Sequence, residues 1–182
     1  VNDAVEALQA KVGVNGSAVT TSLDYKVANQ GLTLVKTQTI ANYAASVTLT
    51  GVFSSTFDNY RILVSGGVTV NGAGLLFSLG GAGNVHSSTV VYYTIGSGTI
   101  NTAVKSNQSL ADIGGINSAI DLIGAGDVLN YTFASCVSAD AVYYRSSAAK
   151  VEWVGIPTSI TLSVNYGTFY QATVRVYGYN NG

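Results

Sequence analysis

Two periods divide the chain. At its start, apolar side chains recur at Val1, Val5, Leu8 and Val12, separated by four, three and four positions. That is the d-a-d-a seam of a coiled-coil helix. The intervening Ala4, Glu6, Ala7, Gln9, Ala10 and Lys11 are mostly good helix formers. Asn2 or Asp3 is placed to cap the start, and Gly13 and Gly16 to end the helix. A helix of about twelve residues is marginal alone in water. The segment therefore reads either as a frayed amphipathic terminus or as the last turns of a longer coiled coil. β-Branched Val at the a positions does not by itself choose between two and three strands.

From Leu32 onward the period is two. Leu32–Ile40 and Val47–Thr50 alternate apolar and polar residues, and Tyr60–Val64 and Val68–Val70 continue the theme, split by Ser65-Gly66-Gly67. Further strands are predicted over Leu75–Leu79, Thr89–Ile95, Ala119–Ile123, Val128–Cys136, Val142–Arg145, Lys150–Val154, Ser159–Tyr166 and Ala172–Tyr179. Turns rich in Gly, Asn and Ser separate them, most clearly at residues 80–84, 96–98 and 124–127. No second helical pattern of useful length supplies the crossovers a parallel sheet needs. The expected fold is all-β: an antiparallel β-sandwich, jelly-roll-like, over residues 31–182, preceded by a short coiled-coil helix and neck over residues 1–30.

Composition sharpens this picture. Of 182 residues, 47% are hydrophobic and only 9% charged, against roughly 25% charged in an average soluble domain. So little charge beside so much apolar surface argues against a disordered chain. It also leaves few groups to solvate a monomer's surface, which favours burial against copies of itself. Eight Lys and Arg balance nine Asp and Glu without a basic cluster, so neither nucleic-acid binding nor membrane-surface binding is expected. Membrane insertion is not expected either, because apolar runs fall far short of a spanning helix. Val1–Leu8 carries Asp3 and Glu6 and has no basic n-region, so it does not read as a signal peptide. Cys136 is the single cysteine, which rules out an intrachain disulfide and fits a small buried strand residue.

Candidate chemistry is sparse. The lone histidine, His86, lies in a Gly- and Ser-rich loop, and no Gly-x-Ser-x-Gly elbow accompanies it. Glu occurs only at Glu6 and Glu152, and the Asp residues are spread singly, without the facing acid pair of a glycosidase. Gly80-Gly81-Ala82-Gly83-Asn84 lacks the Gly-Lys-Ser/Thr end of a phosphate loop and suits a hairpin. No enzyme activity, cofactor or metal is expected. A depolymerase that cuts surface polysaccharide is the enzymatic alternative.

The remaining lead is aromatic. Tyr92-Tyr93 and Tyr143-Tyr144 are adjacent pairs, so in a strand one ring of each faces either side of the sheet. With Trp153, Tyr166, Phe169 and Tyr170 they are candidate ligand contacts, because aromatic faces flanked by Asn, Ser and Thr suit sugar rings. The alternative is ordinary core and subunit-interface packing.

Three segments resemble those of tailed-bacteriophage structural proteins, especially the C-terminal modules of fibre-like proteins. They are residues 31–40 (GLTLVKTQTI), residues 46–62 (SVTLTGVFSSTFDNYRI) and the chain end from Gly167-Thr168-Phe169 through Val174-Arg175-Val176-Tyr177-Gly178-Tyr179-Asn180. Residues 12–27 are similar to the neck that follows a short coiled coil in such proteins. The middle, Leu75 to Ala149, shows little likeness. The resemblance implies a homotrimer, a β-sandwich at a fibre tip and contact with a host-surface glycan or protein. It further implies a virion location, tail or fibre, with other virion proteins met through the N-terminal side. A capsid decoration or head-fibre protein is the alternative. In either, Val1, Val5, Leu8 and Val12 would form the trimerisation seam.

Overall fold

The computed structural model describes residues 2–12, 31–70, 74–80, 85–94, 100–105, 109–112, 117–125, 131–139, 143–152 and 155–180. Helix α1 spans Asn2–Val12, with Asp3 in its first turn and Lys11 in its last, each of the sign that complements the helix dipole. Twelve strands follow among the described residues: β1 (Thr33–Thr39), β2 (Ser46–Thr50), β3 (Asn59–Val68), β4 (Gly74–Gly80), β5 (Val85–Thr94) and β6 (Ile100–Lys105); then β7 (Ser109–Asp112), β8 (Ser118–Ile123), β9 (Tyr131–Ala139), β10 (Tyr143–Glu152), β11 (Ser159–Val164) and β12 (Phe169–Tyr179). They form two sheets, one in the order β1-β12-β3-β8-β9-β10-β5-β6 and one in the order β2-β11-β4-β7. Every ladder is antiparallel.

The period of two in the sequence becomes burial on one face. Along β11, Ile160, Leu162 and Val164 are buried while Ser159, Thr161 and Ser163 are half-buried. On β2, Val47 and Leu49 point inward between exposed Ser46, Thr48 and Thr50. Tyr60, Ile62 and Val64 of β3 and Val174 and Val176 of β12 join them from the larger sheet in one continuous hydrophobic cluster. Each fully buried side chain of this size stabilises the fold by about 1.5–3 kcal/mol. Cys136 is buried in the same cluster, as a small apolar strand residue should be. With charges scarce, hydroxyls supply cross-strand polar contacts, as where Thr48 Oγ1 and Thr161 Oγ1 lie 2.8 Å apart.

Tyr60 shows how one residue closes an end of the core. Its ring meets Phe53 edge-on at 4.9 Å and Phe57 at 6.0 Å. Its hydroxyl accepts from the Ser54 N–H and donates to the Ser54 carbonyl, at 2.7 and 2.9 Å. The phenol thus pins the β2–β3 connection to the sheet while the ring fills the interior.

Several strand expectations change. The Ser65-Gly66-Gly67 break is no break: β3 runs through it. Gly66 (φ 134°) lies against a bulge in β12, and a Cβ there would fall 2.4 Å from the Ala172 Cα, so glycine admits a close backbone approach rather than a turn. The expected strands at Val142–Arg145 and Lys150–Val154 are one strand, β10, continuous through Ser146–Ala149. β6 and β7 were not expected. The first mixes Asn, Thr and Ala into its alternation, and the second has four residues, too few for a period to show.

The register gives the strands two distinct ends. β1 begins at Thr33, opposite Gly178 near the end of the described chain; this is the base. The strand ends that lead into the connections β1–β2, β3–β4, β5–β6, β7–β8, β9–β10 and β11–β12 all lie at the opposite, distal end.

Candidate functional site

The distal end is where the backbone departs most from regular strand. β12 pairs with β3 up to Thr173↔Ser65, slips, and resumes at Tyr170↔Gly67. Gln171 within this bulge has φ 47°, and Tyr43 in the β1–β2 turn beside it has φ 67°. They are the positive-φ residues other than glycine among the described residues, and each such left-handed backbone costs about 1–2 kcal/mol. Strain of this kind persists only where the surroundings over-determine it.

Four hydrogen bonds do so. The Ile40 N–H donates to the Ala172 carbonyl at 2.8 Å, the Tyr43 N–H to the Phe169 carbonyl at 2.9 Å, and the Phe169 N–H to the Ala44 carbonyl at 2.9 Å. The Gln171 N–H, turned out of the ladder by the bulge, donates to Asn42 Oδ1 at 2.7 Å. Buried Phe169 and Ala172 anchor the strand on either side.

The product is a pair of outward tyrosines. Tyr43 is 69% exposed and Tyr170 41%, their ring centroids lie 6.2 Å apart and the planes are inclined by 51°. Exposed Asn42 and Gln171 flank them, and exposed Tyr166 and Val70 stand on neighbouring distal connections. Residues 39–46, 65–70 and 165–173, which build this surface, contain no charged side chain.

Of the ligand contacts expected from sequence, Tyr170 lies in this pair. Tyr92, Tyr93, Tyr143 and Tyr144 lie at the same distal end, on adjacent strands: Tyr144 is paired with Tyr93, Tyr143 with Thr94, and Arg145 with Tyr92. The fold therefore brings these four together. β3, β8 and β9 stand between β12 and β10, so at about 4.8 Å per strand the two groups are roughly 20 Å apart. Phe169 is a core residue. Trp153 and Val1 lie outside the described residues, as do the neck over residues 13–30 and the loop at 81–84. Val5, Leu8 and Val12 are exposed on α1, Leu8 at 61%.

Sequence reasoning missed Tyr43, Asn42 and Gln171. Asn42-Tyr43 follows the point at which alternation stops at Ile40, a turn signal that carries no hint of its long-range partner, more than 120 residues away.

Charge chemistry lies elsewhere and is structural. Arg61 Nε and Nη2 donate to the two Asp121 carboxylate oxygens at 2.7 and 2.9 Å across β3 and β8. That hydrogen bonding, against the effect of burial, raises the Arg61 pKa above its ordinary value, and burial raises that of nearby Tyr179. Among the described residues, no three His, Cys, Asp or Glu side chains gather as a metal site would require, and no helix is long and apolar enough to cross a membrane. No protein-family model matches the chain, and no curated protein matches it.

Proposed function

We propose that the chain is a trimeric attachment module of a bacteriophage virion, of the tail-fibre type, that contacts the host cell surface. One observation carries this reading. Setting aside the β5–β6 and β9–β10 hairpins, the two sheets run β1-β12-β3-β8 and β2-β11-β4-β7. Renumbered one to eight, that is 1-8-3-6 and 2-7-4-5, a nested order that supports a jelly-roll sandwich, an architecture of viral capsid and lectin domains. The order agrees with the likeness of residues 31–40, 46–62 and 167–180 to phage fibre modules. The insertion of both hairpins between Leu75 and Ser159 falls where that likeness lapses.

Two further features support a trimer carried by its N-terminal side. The exposed Val5, Leu8 and Val12 give α1 an apolar stripe with the spacing of a coiled-coil seam. On the outer face of the larger sheet, Leu63, Ala119 and exposed Val137 occupy one cross-strand row. Other virion proteins would be met through residues 1–30 at the base. The distal end would face the host, three weak sites on one rigid body giving avidity without a tight single site.

The test is solution mass by light scattering, followed by gold-labelled antibody on intact virions. A mass three times the 18.7 kDa of the chain, with label on the tail, is the expected result. A monomer overturns the trimer. Label on the shell alone makes the chain a capsid decoration or head-fibre protein.

A further inference from the structure

We propose that the Tyr43–Tyr170 pair, with Asn42 and Gln171, is a binding subsite for a neutral hexopyranose ring. This rests on the attachment reading and gives that surface its ligand class.

The argument starts from where the tyrosines are not. The core already takes Tyr60, Phe77 and Phe169, yet Tyr43 and Tyr170 are held outside it. They are held there by two left-handed backbones, a bulge and a side-chain hydrogen bond, at a cost in stability that core packing does not require. Gly66, the residue that lets β3 close on the bulge, does not tolerate a Cβ. The backbone that carries both rings is therefore fixed before any ligand arrives, which lowers the entropy lost on binding.

Their chemistry selects a sugar. Two inclined, exposed aromatic rings offer π surface to the axial C–H groups of a pyranose. Asn42 Oδ1 accepts from the Gln171 N–H, so the Asn42 amide presents its NH2 as donor, and the exposed Gln171 amide adds a donor and an acceptor. Such amide groups suit vicinal hydroxyls. The absence of charge from residues 39–46, 65–70 and 165–173 leaves nothing to pair with a carboxylate or sulfate, so the sugar is neutral. The site also lies at the end of the strands away from Thr33, the first residue of β1.

The test is saturation-transfer NMR on the full chain with the methyl glycosides of glucose, galactose, mannose and N-acetylglucosamine at about 10 mM, where millimolar affinities register. N-acetylneuraminate is the charged control. The expected result is transfer to the ring protons of at least one neutral glycoside, with none to the control, and shifts in the Tyr43 and Tyr170 resonances of the unaltered chain. Tyr43→Ala and Tyr170→Ala should each weaken binding by about fivefold, with unchanged circular dichroism. No transfer from any neutral glycoside overturns the proposal, as does transfer that leaves both tyrosine resonances unmoved or survives the double substitution. A trimer without transfer removes the sugar site and leaves the attachment reading standing. A monomer that transfers saturation through these two rings does the reverse.

Discussion

Gly178 and Phe57 share one packing position. β12 lies inside the larger sheet, and at Gly178 the Phe57 ring covers the backbone so closely that a Cβ would fall 2.3 Å from Cδ2. Phe57 in turn meets Tyr60 edge-on, and the Tyr60 hydroxyl fixes the Ser54 peptide groups. A single absent side chain therefore positions the β2–β3 connection. Gly178→Ala displaces the ring and should destabilise the fold by about 1–3 kcal/mol. Calorimetry should show a melting temperature lower by about 3–10 °C, and an unchanged melt would mean that the ring moves aside freely. Nearby Arg61→Ala should cost less than about 1 kcal/mol, because its pair with Asp121 is partly exposed and screened by water. At residue scale this molecule is held by shape more than by charge.

Among the elements, α1 stands apart. Eleven residues with exposed Val5, Leu8 and Val12 are short of what an isolated helix needs for stability in water. An apolar seam without a partner gives the chain no reason to hold that helix, whereas packing against copies of itself does. Val5→Ala with Leu8→Ala should therefore lower the denaturant concentration at which the proposed trimer dissociates, and reduce the helical signal at low chain concentration. An unchanged dissociation midpoint would show that the seam contributes nothing. β12 is the opposite case. It pairs with β1 on one side and β3 on the other, and its bulge is conditioned by Gly66 across the ladder. A strand paired on both sides is thus the one that sets the distal surface.

For the whole molecule, the order and register of the strands separate two ends. The strand ends leading into six connections gather at the end away from Thr33, and seven of the eleven tyrosines among the described residues lie there: Tyr43, Tyr92, Tyr93, Tyr143, Tyr144, Tyr166 and Tyr170. The stretches around Tyr43, Tyr166 and Tyr170 carry no charge. The attachment proposed for the surface around the Tyr43–Tyr170 pair should therefore be insensitive to ionic strength, because screening acts only on charged pairs. Adsorption of the intact chain to host cells should change by less than about twofold between low and high salt. A steep loss with salt would place the contact on a charged surface elsewhere.

The alternation of apolar and polar residues determined by itself that the chain is all-β, because a period of two buries one face only in an extended strand. It also determined a short N-terminal helix, and located most strands, including those with Ile62, Leu162 and Val174 pointing inward. Near glycine the pattern misled: Ser65-Gly66-Gly67 has the composition of a turn, yet glycine there serves a close approach from β12 that no local pattern encodes. Tyr170 was a candidate from its type and neighbours, but nothing near it in sequence points to Tyr43. Tertiary structure decided that pairing, since only the β1–β12 register carries the turn at residues 40–45 to the bulge at Gln171. It likewise decided that Tyr92, Tyr93, Tyr143 and Tyr144 share one place, because β5 and β10 become neighbours through long-range pairing. Local periodicity is a property of single strands, whereas a surface made from several strand ends exists only once their order and register are fixed.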